Sequence, residues 1–198
     1  MRARYDRFAE WYDAALGNAK LGHFNAEVAA RLLGPGPGEL VEVGCGGRVA
    51  AQRFQSDGWT VTGVDISEDQ LRVARRRGTN GIRADAAQMP FDDATFDAAV
   101  SIGTHTDFDD FAGSVREVGR VVRPAGVFVY VGVHPCFVGP HVTYGDREIP
   151  LFHPGYRNIE LSYDAPGISP EGPAGEGRRL ASAARHLSAE LSRCRLSA

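Results

Sequence analysis

The spacing of hydrophobic positions changes several times along the chain, and each change marks an element. Apolar residues recur every three or four positions over Tyr5–Leu16 and Leu21–Leu33, which predicts two helices. GPGPG, Gly34–Gly38, stops the second. A short strand over Glu39–Val43 follows, then a glycine loop, then a helix over about Val49–Ser56. The next strand is WTVTGVD, Trp59–Asp65. Ser67 then stands as helix N-cap, with Gln70 three positions on, as in a capping box. A short strand near Gly81–Ala84 and a longer one at Phe96–Ile102 come next. Asp109–Val122 reads as a helix with Phe111, Val115, Val118 and Val122 on one face. RPAG, Arg123–Gly126, reads as a turn and VFVYVGV as a fifth strand. Strands this apolar are buried on both faces, as in a parallel sheet covered by helices. Five strand–helix alternations predict an α/β, doubly wound, mostly parallel sheet.

After His134 the pattern weakens. Residues 134–164, rich in Pro, Gly and His, are expected to form an ordered lid or substrate segment with a short hairpin, and NIELSY reads as one strand. Ala165–Gly177 has the composition of a linker. The end of the chain places Leu180, Ala184, Leu187, Leu191 and Cys194 on one face of a basic helix, which is expected to dock on the domain or fray. The organisation expected is one domain over 1–164, with a helical cap at 1–33 and a core at 39–133, then a linker and amphipathic tail at 165–198.

Composition narrows the function classes. A chain of 198 residues with 43% hydrophobic and 24% charged residues suits one soluble domain with a sizeable core. A formal charge of −3 gives no general attraction to nucleic acid or anionic membrane. Cys45, Cys136 and Cys194 form no metal or redox motif. The N-terminal MRARYDRFAEWYD lacks the apolar core of a signal peptide, and no stretch reaches the length of a membrane span. The expectation is a cytoplasmic protein with a small-molecule partner, no nucleic acid, no stable membrane insertion, and an oligomeric state left open.

Candidate chemistry clusters at one edge of the predicted sheet. The loop VGCGGR follows the first strand, where glycines let backbone N–H groups approach a ligand and the next helix points its N-terminus at it. Alone, such a loop is often only a turn. Asp65 ends the second strand, 21 positions beyond Gly44, where a carboxylate can accept from both hydroxyls of a ribose. Asp85 follows the third strand and Glu42 lies near the end of the first. Three acids on successive strands, in register with a glycine loop, match a ligand carrying amine, ribose and adenine donors in sequence.

The set VEVGCG, GVDIS, ADAAQMPFDDATFD and VRPAG, with YDRFAEWYD at the start, resembles the class I S-adenosylmethionine-dependent methyltransferases. It is nearest the type 11 group that includes quinone-biosynthesis methylases, and the likeness covers roughly residues 5–135. The resemblance implies a Rossmann-like fold and S-adenosylmethionine as cofactor. It implies that Glu42 holds the methionine end and that Gly44, Cys45 and Gly46 pass under the ligand. Asp65 with Ile66 would bind the ribose, and Asp85 with Ala86 the adenine. Ser101 and Ile102 would border the reactive end, with Tyr5 and Tyr12 capping it.

Two departures from the family pattern stand out. Arg48 falls where the third glycine is counted, unless the loop is one residue shorter and Gly47 is that glycine. The family usually finishes a seven-stranded sheet with a helix and an antiparallel hairpin. At most one convincing strand follows Val133 here, so an atypical C-terminal sheet edge is expected, and its completeness stays open. His105 and His134 follow the fourth and fifth strands and are candidate general bases, although a loop histidine bonded to backbone is the plainer reading of each. His105 with Asp107, Asp109 and Asp110 forms no expected metal site, because acids opening a helix are common. The expected activity is methyl transfer to a small molecule. A catalytically impaired binding or regulatory protein of the same fold, and a nicotinamide-dependent oxidoreductase, are the alternatives. The second is disfavoured by Val49, where its fingerprint wants glycine or alanine.

Overall fold

A computed structural model describes residues 6–14, 20–47, 50–104, 107–132, 142–144, 150–152, 161–166 and 176–180. The core is one five-stranded parallel sheet, in the order β3-β2-β1-β4-β5. The strands are β1 (Gly38–Val43), β2 (Trp59–Asp65), β3 (Asn80–Arg83), β4 (Phe96–Ile102) and β5 (Val122–Val131). The helices are α1 (Ala9–Tyr12), α2 (Lys20–Leu33), α3 (Ala50–Ser56), α4 (Glu68–Arg76) and α5 (Phe111–Val121).

Alternation along β1 shows why the sheet needs covering on both sides. Leu40 packs on one face with Ala26, Ala29 and Ala30 of α2, Phe54 of α3, and Val61 and Val100 of the neighbouring strands. Val41 and Val43 pack on the other, with Val64, Ala99, Val118 and Val121. Phe54 and Leu40 have no exposed surface, and each contributes roughly 2 kcal/mol of hydrophobic stabilisation. α4 lies on the α3 side: Gly81 of β3 pairs with Gly63 of β2, and a Cβ on Gly81 would meet the Leu71 side chain at 2.7 Å.

Chain direction reverses its advance between β1 and β4, because β1 is followed outward by β2 and β3 while β4 and β5 lie on its other flank. Such a switch point opens a crevice beyond the carboxyl ends of the central strands. Register sets which residues stand at that crevice. Val43 pairs with Val64, so Gly44 and Asp65 leave the sheet at the same height. Asp65 pairs in turn with Arg83, two residues before Asp85.

Three expectations need correction. RPAG does not separate helix from strand: β5 already pairs at Val122, opposite Phe96, and resumes at Val127, opposite Ala98. Arg123–Gly126 is therefore an irregularity within the ladder, with Ala125 at φ 64°. A turn motif and a bulge have the same local composition, and only the partner strand distinguishes them. The count of at most one convincing strand after Val133 is also exceeded, although the short hairpin expected in that segment is present and the strand Leu161–Pro166 overlaps NIELSY. Val142–Tyr144 (β6) pairs antiparallel with Pro150–Phe152 (β7), and Leu161–Pro166 (β8) pairs antiparallel with Glu176–Leu180 (β9). These are two separate two-stranded sheets, so among the described residues β5 remains the last strand on its side of the main sheet. The linker and the start of the tail helix are also revised, since Glu176–Leu180 is a strand. Gly and Pro composition suggested a linker because pairing with β8 is a long-range contact that composition does not encode.

Candidate functional site

Beyond the strand ends lies an open cleft of about 880 Å³, its mouth included. Each strand from β1 to β4 contributes its following loop. Gly44 and Gly46 come after β1, Asp65 with Ile66 and Ser67 at the end of β2, Ala84, Asp85 and Ala86 after β3, and Gly103 and Thr104 after β4. Tyr12 of α1 and Asp107, Phe108 and Asp109 close the sides.

The glycine loop is held by named partners. Gly44 adopts φ +72°, and a Cβ there would meet Thr104 at 2.5 Å and the Phe108 ring at 3.1 Å. Both conformation and space therefore demand glycine. Gly46 N–H donates to Asp65 Oδ2 at 2.8 Å, and Ser67 N–H donates to Asp65 Oδ1 at 2.8 Å. Gly47 N–H donates to the buried Gln70 Oε1 at 2.9 Å. A Cβ on Gly47 would lie 2.6 Å from Val73 Cγ1, so close approach of the loop to α4 falls on Gly47. That is the alignment in which the loop is one residue shorter; Arg48 itself is outside the described residues.

The helix cap is half of a capping box. Ser67 Oγ accepts from Gln70 N–H at 3.3 Å, as the spacing predicts. Gln70 does not reach back to Ser67, because its carbonyl oxygen serves the loop instead and Asp65 takes the Ser67 N–H.

The residues singled out from the sequence fall into three groups. Tyr12, Gly44, Gly46, Asp65, Ile66, Asp85 and Ala86 line the cleft. Glu42, Cys45 and Ser101 are buried, at 3%, 2% and 2% exposure, and do not line it. Cys45 points toward β2, where a Cβ on Gly63 would sit 2.7 Å from its Sγ. Burial, with Glu42 and Asp65 nearby, raises the Cys45 thiol well above its usual range, so it stays protonated and unreactive. Ser101 Oγ donates to Val43 O at 2.9 Å and shares a 2.6 Å hydrogen bond with Thr104 Oγ1. His105, His134 and Tyr5 lie outside the described residues. Sequence reasoning missed Ser67 and Gln70 as cleft residues, and Gly103, Thr104 and Phe108 altogether. For the last three, nearness to the end of β4 was the available signal.

Four carboxylates, Asp65, Asp85, Asp107 and Asp109, line the cleft, and no lysine or arginine joins them among the described residues. The resulting field favours a ligand with positive charge. No group of three or more metal-type ligands occurs among the described residues.

Comparison with known proteins matches this geometry. Residues 41–130 match the family described as methyltransferase domain. Demethylmenaquinone methyltransferase of Corynebacterium kroppenstedtii is 38% identical over 124 residues, covering 60% of this chain and 54% of that protein. Fatty-acid O-methyltransferase of Mycolicibacterium smegmatis is 32% identical, covering 57% of this chain and 43% of that protein. The chain thus spans about half the length of the curated relatives it matches. The crystal structure of an S-adenosylmethionine-dependent methyltransferase from Mesorhizobium loti superposes with a TM-score of 0.66. It covers 86% of this chain and 78% of that one at 21% identity, which speaks to the fold. Sheet order and superposition define a Rossmann-like α/β fold, and the match to the methyltransferase domain family lies within its core. Over residues 41–130 the chain is similar to class I S-adenosylmethionine-dependent methyltransferase domains of the type 11 group.

S-adenosylmethionine is the cofactor this family implies, and the residues present fit it. A side chain at Gly44 would fill the cradle, so the loop leaves its backbone open to a ligand. An ionised carboxylate offers about four acceptor sites, so the two amides bonded to Asp65 do not exhaust it. The acidic lining suits the ammonium and sulfonium of such a ligand.

Proposed function

We propose that the chain binds S-adenosylmethionine in this cleft and transfers its methyl group to a small-molecule acceptor. The observation that carries the reading is the convergence of Gly44, Gly46, Asp65, Asp85 and Ala86 on one cleft at the sheet's switch point. When bound, the cofactor supplies a methyl group already activated on a sulfonium, open to in-line displacement by a nucleophile.

The chain's own residues then bind, orient and exclude water. Asp65 accepts from the ribose hydroxyls while its bond to Gly46 N–H keeps the loop in shape. Asp85 and Ala86 take the adenine. Asp85 Oδ1 already accepts Ala87 N–H at 2.8 Å, which fixes the turn that presents them. Tyr12, Gly103, Thr104 and Phe108 border the opposite end, where the acceptor enters. Aligning two reactants there lowers the barrier chiefly through proximity and orientation. His105 and His134 are proposed as the bases that relieve the acceptor of its proton.

Thermal shift distinguishes this reading from its rivals. S-adenosylhomocysteine at millimolar concentration is expected to raise the melting temperature by several degrees, and NADH to leave it unchanged. A shift with NADH alone would replace the reading with an oxidoreductase. His105→Ala and His134→Ala are each expected to slow turnover while S-adenosylhomocysteine affinity stays within threefold. Turnover equal to wild type would remove that histidine from the chemistry.

A further inference from the structure

The N-terminal segment rests on α4 through polar contacts. Ser67 Oγ donates to Asp6 Oδ1 at 2.7 Å, Arg7 N–H to Asp69 Oδ2 at 3.1 Å, and Arg76 to Glu10 Oε1 at 2.6 Å. Within the four-residue α1 only Ala9 is buried. A helix this short has no stability of its own, and the Arg76–Glu10 pair, with side chains 56% and 59% exposed, holds it weakly.

Arg77 differs in kind. It stands at the C-cap of α4, and its side chain is only 20% exposed against 18% for Asp13. Its guanidinium grips Asp13 with both arms, Nη1 to Oδ1 and Nη2 to Oδ2, the latter at 2.8 Å. The same Nη1 also donates to the carbonyl oxygen of Gly47. Gly47 is thereby held from both sides, its N–H by Gln70 and its carbonyl by Arg77. Asp13 directly follows Tyr12, which lines the cleft. One side chain therefore joins the segment that caps the cleft to the loop that runs beneath the ligand.

We propose that Arg77 is a positioning residue that couples docking of the N-terminal segment to the shape of the glycine loop, so that each favours the other and cofactor favours both. The inference rests on the cofactor reading above. Docking of α1 brings the Asp13 carboxylate that fixes the Arg77 fork, and the fixed fork holds Gly47 where Gly46 N–H meets Asp65. By linkage, a ligand that selects the ordered loop must tighten α1 to the same degree. The planar fork matters, because a lysine ammonium has no pair of parallel N–H donors to match both carboxylate oxygens side by side.

The test uses the full chain with Arg77→Gln, Asp13→Asn, the double variant and Arg77→Lys. S-adenosylhomocysteine affinity is read by calorimetry, and amide hydrogen exchange follows residues 6–13 with and without it. Each single variant is expected to weaken binding about tenfold, and the double variant no more than threefold beyond either. Arg77→Lys is expected to bind at least threefold more tightly than Arg77→Gln and to remain weaker than wild type. In wild type the ligand is expected to slow exchange over residues 6–13, and in both single variants this slowing disappears. Losses that multiply to about a hundredfold in the double variant would overturn the coupling. So would wild-type affinity and ligand-induced slowing in folded single variants whose melting temperature alone has dropped. A wild-type chain that binds no S-adenosylhomocysteine would instead overturn the cofactor reading, and the coupling with it.

Discussion

The two halves of the cleft are built by different means. In the half that follows β1, β2 and β3, backbone amides of the glycine loop and of the α4 cap are tied to carboxylate and amide side chains. Gly46 and Ser67 are bonded to Asp65, and Gly47 to Gln70. In the half that follows β4, the walls are Gly103, Thr104 and Phe108, with Asp107 and Asp109 beside them. The Phe108 ring stacks on Phe111 at 6.4 Å, and Phe111 meets Tyr130 edge-on at 5.7 Å. The first half is a network of directional bonds that fits one ligand shape. The second rests on an aromatic stack whose contacts are non-directional, with two carboxylates beside it. A cofactor common to many enzymes suits the first construction, and an acceptor that varies from one enzyme to another suits the second.

Breaking the directional half has the largest expected effect. Asp65→Ala removes the acceptor of the Gly46 and Ser67 amides as well as the proposed ribose partner. The variant should lose on the order of 100-fold in S-adenosylhomocysteine affinity by calorimetry, since each hydrogen bond to a charged group contributes about 1.5–3 kcal/mol. Gly44→Ala comes next, because φ +72° and the 2.5 Å approach to Thr104 both oppose a side chain. A loss of about 2 kcal/mol in denaturant unfolding, with weakened cofactor binding, is expected. Phe108→Leu probes the aromatic half. It should cost about 1 kcal/mol of stability and raise the acceptor KM, while cofactor affinity stays within threefold of wild type. A larger cofactor effect would show that the halves are not separate.

The smallest effect lies outside both halves. Glu117 accepts Met89 N–H at 2.8 Å and is gripped by Arg120, which also donates to the carbonyls of Met89 and Phe91. Hydrogen bonding from Arg120 lowers the Glu117 carboxyl below 4.5, ahead of the opposing effect of burial. A lowered folded-state value means that the stabilisation is fully present above about pH 4.5 and is lost as pH falls through the lower, folded-state value. Glu117→Gln should therefore cost about 1 kcal/mol at pH 7, with the difference from wild type shrinking as pH falls below 4.5. Melting curves across that range check it, with cofactor affinity at pH 7 unchanged.

The same contrast governs what the sequence made legible. β1 and β4 were readable because strands buried on both faces are apolar runs, whereas β5, expected to be buried the same way, leaves Val127 exposed. Asp65 was readable because a strand–loop–helix–strand unit sets its distance from Gly44. Phe111, Val115 and Val118 were readable as the buried stripe of α5. Gln70 was legible as a capping residue, yet its bond to Gly47 depends on how α4 approaches the loop. Arg77 gave no signal, since one arginine among several at a helix end acquires meaning only when Asp13 and Gly47 arrive from elsewhere. The β8–β9 pairing was hidden for the same reason, a long-range partner that composition does not reveal. Phe108 read as part of a loop because its stacking partner, Phe111, belongs to α5.

The central claim is that the bonded loop and the acids at the sheet's switch point form a cofactor site. Calorimetric titration of the full wild-type chain with S-adenosylhomocysteine tests it most directly. The account predicts saturable binding at one site with a dissociation constant in the micromolar range, on the order of −8 kcal/mol. No saturable heat and no competition by S-adenosylmethionine up to millimolar ligand would contradict it.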